Sequence, residues 1–132
     1  MSPLVTNAGK AIEAARMGGG TVNSQPEPLN VQWGTSATAE AVTQSTLVAA
    51  ATEARVAGTS SQVTTSVTSD TYQVVATITS ASAQSIQEVG LFDTAGSGSP
   101  ATGGNMFVRA VHGSMTLAIG DSVTYTLKVQ YT

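Results

Sequence analysis

The chain has 132 residues, 41% of them apolar and only 10% charged, with a formal net charge of −3 and no cysteine. That length suits one domain, and a composition low in charge but rich in Val and Thr argues against a disordered chain. Lacking cysteine, the chain has no disulfides, thiolate metal sites or thiol catalysis; its five basic residues, Lys10, Arg16, Arg55, Arg109 and Lys128, form no cluster for a nucleic-acid backbone or a membrane surface.

In chain order, the first segment, "TNAGKAIEAARMGGG", predicts one short helix. Thr6 or Asn7 caps its first N–H groups, the residues through Met17 are good helix formers, and Gly18 is placed for a left-handed cap. The apolar stripe is small, as in a helix lying against a sheet. Pro26 and Pro28 then forbid helix and favour an extended arm, so residues 1–30 read as helix plus arm. Residues 31–132 read as the β-sandwich of the same single domain.

"VQWG" has a strand's look and holds the single Trp. Trp33 serves either as a core anchor or as an interface contact, and a small domain's need for each large side chain favours the core. The stretch from Thr38 to Gly58 is ambiguous; its expected form is a loop or short helix to about Ser45, then a strand ending near Ala57. From there the pattern is β. "SQVTTSVT" is rich in Thr and Val. In "DTYQVVATIT", Tyr72, Val74, Ala76 and Ile78 point one way and Thr71, Gln73, Val75, Thr77 and Thr79 the other. "SIQEVGLFD" follows, then "TAGSGSPATGG", a long loop too rich in Gly and Ser to order itself. "NMFVRAVHG" and "SMTLAIGD" read as two segments, with Gly120-Asp121 a turn. The closing "SVTYTLKVQYT" places Val123, Tyr125, Leu127, Val129 and Tyr131 on one face. Short antiparallel strands with hydroxyl-rich outer faces predict a mainly β domain, an antiparallel sandwich or jelly-roll-like fold with one N-terminal helix.

Chemistry finds little support. His112 is the single histidine; Ser114, Asp93 and Asp121 are available to it, but no G-x-S-x-G elbow is present. One His and eight scattered acids form no metal pattern. The glycine runs lack the G-K-[ST] ending of a phosphate loop. Glu88 and Asp93, five residues apart, would lie about 17 Å apart on an extended strand, too far to share one scissile bond. The structural reading fits better: Asp93 accepts backbone N–H groups at a turn, Glu88 near the strand start is neutralised by Arg55 or Arg109, and Gly90 leaves room for a neighbour. No catalytic, metal or cofactor residue is expected, and no cofactor. The N-terminus has no basic-then-apolar leader, and no apolar run reaches the roughly 18 residues of a membrane span. A soluble chain made in a cytoplasm is expected.

Several pieces then line up: "LVTNAGKAI", "VQWGTSATAEAVTQSTLVAAATEARV", "DTYQVVATIT", "EVGLFD" and "GDSVTYTLKVQY". This order resembles a group of small tailed-bacteriophage virion proteins with an E-[VI]-G-[LV]-F-D signature and a closing G-D-S strand; related signatures occur in tail-fibre and collar-fibre proteins. The resemblance implies a non-enzymatic virion structural protein that self-associates, as a trimer or a dimer, and binds the major capsid protein or other virion subunits. The chain stops after the closing strand without a shaft or tip. That shifts the expectation toward a capsid decoration or cement protein on the capsid surface, with a tail-fibre, collar or neck component as the alternative. A carbohydrate-binding module using Trp33 is the third reading.

Overall fold

The structure, a computed structural model, describes residues 3–18 and 26–132. Its elements run β1 (Leu4–Val5), α1 (Asn7–Met17), β2 (Asn30–Gly34), β3 (Val56–Ala57), β4 (Thr59–Val63), β5 (Thr71–Thr79), β6 (Gln84–Phe92), β7 (Met106–Leu117) and β8 (Ser122–Gln130). They pair antiparallel into a five-stranded sheet, β1-β7-β6-β2-β3, and a three-stranded sheet, β4-β5-β8. The result is a β-sandwich with one short helix, as the alternating Val/Thr segments predict.

The core fills the space between the sheets. Val31 and Trp33 of β2, Val89 and Leu91 of β6, and Ala110 of β7 face Val74, Ala76 and Ile78 of β5 and Tyr125 of β8. The period-2 pattern of β5 and β8 is realised: the nine residues of β5 pair without a shift with the nine of β8. Thr77, Thr79, Thr124 and Thr126 lie exposed on the opposite face. Trp33 is 1% exposed.

Helix α1 starts where its cap predicts. The Thr6 hydroxyl accepts the Gly9 N–H at 3.0 Å and donates to the Met106 carbonyl, which ties the cap to β7. Ile12 is buried in the core. The C-terminal end differs from expectation. Gly18 keeps a right-handed conformation, φ −65°, and its N–H continues the helix ladder to the Ala14 carbonyl at 3.0 Å. The following glycines and the arm as far as Gln25 lie outside the described residues.

Four further expectations are corrected. The loop expected to about Ser45 is present and a strand does end at Ala57, but that strand is only the two residues of β3; residues 46–55 before it run irregularly, with one isolated bridge, Gly34 to Ala50. Tertiary hydrogen bonds, described below, add to a few local ones across residues 35–55. "SQVTTSVT" stops being a strand at Val63. The Asp70 carboxylate takes the N–H groups of Thr65, Ser66 and Val67, which curls residues 64–70 into a turn. Residues 106–117 form one strand instead of two segments. Its pairing passes from Glu88–Val111 to Ile86–Met115, so residues 112–114 stand opposite Gln87. This bulge absorbs Gly113 without ending the strand and lets Ala110 and Met115 both face inward despite their odd spacing. Finally, residues 94–104 are ordered by contacts, with a Ser97–Thr102 bridge and Ala101 buried. Gly120-Asp121 does form the turn, with Gly120 at φ +89°.

Candidate functional site

The sequence singles out Glu88 to Asp93, and the structure places this run on β6 beneath two covering loops. Glu88, Gly90 and Phe92 face outward from the large sheet, while Val89 and Leu91 enter the core. Glu88 sits mid-strand rather than near the strand start, and the structure chooses Arg109 over Arg55 as its partner. Arg109 Nη2 and Nε lie 2.7 and 2.9 Å from Glu88 Oε2, with both side chains fully buried. Arg109 stands opposite Gly90 across the β6–β7 ladder, two steps along from the Glu88–Val111 pair and on the same face, so the two charges meet diagonally.

The pair also holds the first covering loop, residues 35–55. The Glu88 carboxylate accepts the Ala49 N–H at 2.7 Å and the Val48 N–H at 3.1 Å. Arg109 Nη1 donates to the Thr38 carbonyl and to Gln44 Oε1. Glu40 caps the edge of β7 by accepting the Val111 N–H at 2.7 Å. Two glycines make the close approach possible. A Cβ on Gly34 would lie 2.4 Å from the Ala49 carbonyl oxygen, and one on Gly90 would lie 2.8 Å from Leu47 Cδ2. Leu47 drops into that space and joins Phe92 and Met106 in a second small apolar cluster.

Arg55 and Asp93 hold the second loop. The Arg55 guanidinium carbon lies 3.7 Å from the centre of the Phe92 ring. Its Nε donates to Gln32 Oε1, and its Nη1 donates to the Thr94 and Gly103 carbonyls. Burial lowers the Arg55 pKa and the Asp93 charge opposes that shift; at a guanidinium the group stays charged at any physiological pH. Asp93 accepts the N–H of Asn105 at 2.7 Å and its side-chain amide at 2.9 Å, closing the loop end to end. Gln32 Nε2 donates to the Ala101 carbonyl. Glu53 gathers the third junction, accepting from Trp33 Nε1, the Ala81 N–H and Gln84 Nε2. Burial works to raise the Glu53 pKa, but these donors together outweigh it and the pKa falls.

The remaining residues named from sequence do not converge. His112 Nδ1 lies 2.8 Å from the Gly113 carbonyl and Nε2 lies 2.9 Å from the Tyr125 hydroxyl, so both ring nitrogens are engaged. Ser114 meets the Ser85 hydroxyl, and Asp121 accepts the Ala118 N–H inside its turn. Neither reaches His112. Among the described residues, no three His, Asp or Glu side chains gather to hold a metal. Comparisons with protein-family models, curated proteins and solved structures found no match.

Along β8 the sandwich has a groove of about 580 Å³ between the sheets, roofed by Val89, Val108 and Ala110 and floored by Val123 and Leu127, with Met115 at its side. Lining residues run consecutively from Val123 to Lys128, so the groove opens along the outer edge of β8. Sequence reasoning missed it, because an open seam depends on which strands end each sheet. The unequal strand counts of the two sheets leave it uncovered. The roles of Gln32, Glu40 and Glu53 were also missed; each contacts a residue distant in sequence or a loop without periodicity.

Proposed function

We propose that the chain is a bacteriophage virion structural protein, a capsid decoration protein that binds between major capsid subunits and stabilises the head. The observation that carries this reading is the use made of the signature run. Every charged or special residue from Glu88 to Asp93 serves packing: Glu88 binds Arg109 and the 48–49 backbone, Gly90 seats Leu47, Phe92 stacks under Arg55, and Asp93 closes a loop on Asn105. The outward surface carries hydroxyls and few charges, which suits a subunit that is covered after assembly. Protein bound to the assembled head and absent from free subunits stabilises the head by mass action.

The test is to add purified chain to expanded heads lacking it and to count copies per virion by mass spectrometry. Raised head melting temperature with hundreds of copies supports decoration. Copies near a dozen, with labelling confined to the tail or neck, would assign it to the tail or collar instead. The glycan reading through Trp33 loses its basis, since that ring is buried and its N–H is held by Glu53.

A further inference from the structure

We propose that two copies of the chain join edge to edge through β8, antiparallel about Thr126, so that the three-stranded sheets of both copies become one continuous sheet. The inference goes beyond the virion reading, because it concerns the isolated chain and holds whatever particle receives it.

The edges of the two sheets are unequal. β1 and β3, which end the large sheet, have two residues each; β4 has five; β8 has nine. Short edge strands are a common protection against unwanted pairing, as are Pro, bulges and charge. β8 has none of the first three. It contains no Pro, it matches β5 over nine residues without a shift, and its one charged side chain is Lys128. Among the described strands it pairs with β5 alone, so its outer side presents a row of backbone donors and acceptors. On the large sheet, by contrast, the stretch of β7 beyond β1 has Glu40 capping Val111.

The sequence of β8 is complementary to itself. An antiparallel pairing centred on Thr126 sets Ser122 opposite the second copy's Gln130, Val123 opposite Val129, Thr124 opposite Lys128 and Tyr125 opposite Leu127. Each apolar residue meets an apolar one, and each polar residue a polar one. Lys128 meets a hydroxyl, so no like charges face each other. A register centred on Lys128 would oppose two ammonium groups and pair fewer residues. A register odd by one residue would turn the second copy's apolar face to the wrong side of the sheet. In the Thr126 register the second copy's Val123, Tyr125, Leu127 and Val129 face the same side as their counterparts, extending the floor of the open groove beside β8.

Thr124 is exposed and lies beside Thr77 of its own sheet, so a charge placed there meets none in its own chain. The experiment is sedimentation velocity of the full-length wild type and of T124K, K128E and T124K/K128E, with circular dichroism to verify folding. The wild type is expected to be a dimer. T124K, which sets two lysines opposite each other on both sides of the twofold axis, should weaken the dimer by at least about tenfold in Kd. K128E should still dimerise, and T124K/K128E should recover the dimer through Lys–Glu pairs. A wild type that stays monomeric, forms a trimer, or dimerises unchanged in T124K overturns the proposal. Such a result leaves head binding to be judged by its own experiment, so the two readings fail separately.

Discussion

The outward faces of the two sheets are treated in opposite ways. On the large sheet the outward face is covered and polar: Gln32, Glu88 and Arg109 are buried there under residues 35–55 and 93–105. On the small sheet the outward face is bare, and hydroxyls pair across strands, Thr77 with Thr124 and Thr79 with Ser122, each at 2.7 Å. Where a chain so poor in charge buries a carboxylate and a guanidinium, they organise loops that have no periodic structure to organise themselves. Where hydroxyls suffice, the strand ladder alone holds the surface, and the surface stays available. The covered face is held by buried charges and the loops they bind; the bare face is held by its strand ladder and hydroxyl pairs.

Breaking this contrast should be easiest at the buried pair. Arg109→Met leaves Glu88 buried without its cation and should cost about 3–5 kcal/mol in urea unfolding, with the 35–55 loop exchanging its amide hydrogens faster. A loss under about 1 kcal/mol would mean that the pair does not hold the loop. Gly90→Ala pushes a methyl against Leu47 and should cost about 1–3 kcal/mol; in a Leu47→Ala background, itself destabilised by the lost leucine, the same Gly90→Ala change should cost little more, because the space it needs is already vacant.

The alkaline limb sharpens the comparison through the sandwich interior. Burial is the first cause that raises the pKa values of Tyr72 and Tyr125 above the ordinary 10.0, with Glu27 adding at Tyr72. The folded state holds these protons after the unfolded chain has released them. Stability is therefore complete below about pH 10 and falls as pH rises toward the shifted values. Melting temperature measured from about pH 8 to pH 12 should drop only above about 10, and Tyr125→Phe should flatten part of that fall. The smallest effect belongs to the bare face: Thr77→Val removes an exposed hydroxyl contact and should change stability by no more than about 0.5 kcal/mol. A loss approaching that of Arg109→Met would show that the hydroxyl ladder holds the small sheet as firmly as the ion pair holds the large one.

How much of this was legible varied with the range of the interaction. The alternation of β5 and β8, the Thr6 cap and the Gly120-Asp121 turn follow from neighbours along the chain, and each is present. A packing role for Glu88, Asp93 and Gly90 was also legible, since no reactive partner stood nearby in sequence. The choice between Arg55 and Arg109 was not. It depends on Arg109 falling opposite Gly90 in the β6–β7 register, which a bulge over residues 112–114 helps to set. Gly18 reads as a left-handed cap and stays right-handed, because its own amide finds the Ala14 carbonyl without a change of hand.

By itself the sequence determined a mainly β domain with one capped helix, because periods of two and the chemistry of caps and turns act over a few residues. The tertiary structure alone decided that residues 35–55 become a lid on the large sheet, that residues 106–117 make one strand, and that β8 ends its sheet unpaired among the described strands. Those outcomes rest on contacts between residues far apart in the chain, 20 positions for Trp33 with Glu53 and 71 for Arg109 with Thr38. No local pattern encodes such contacts, since their stability arises only when burial removes the competing water.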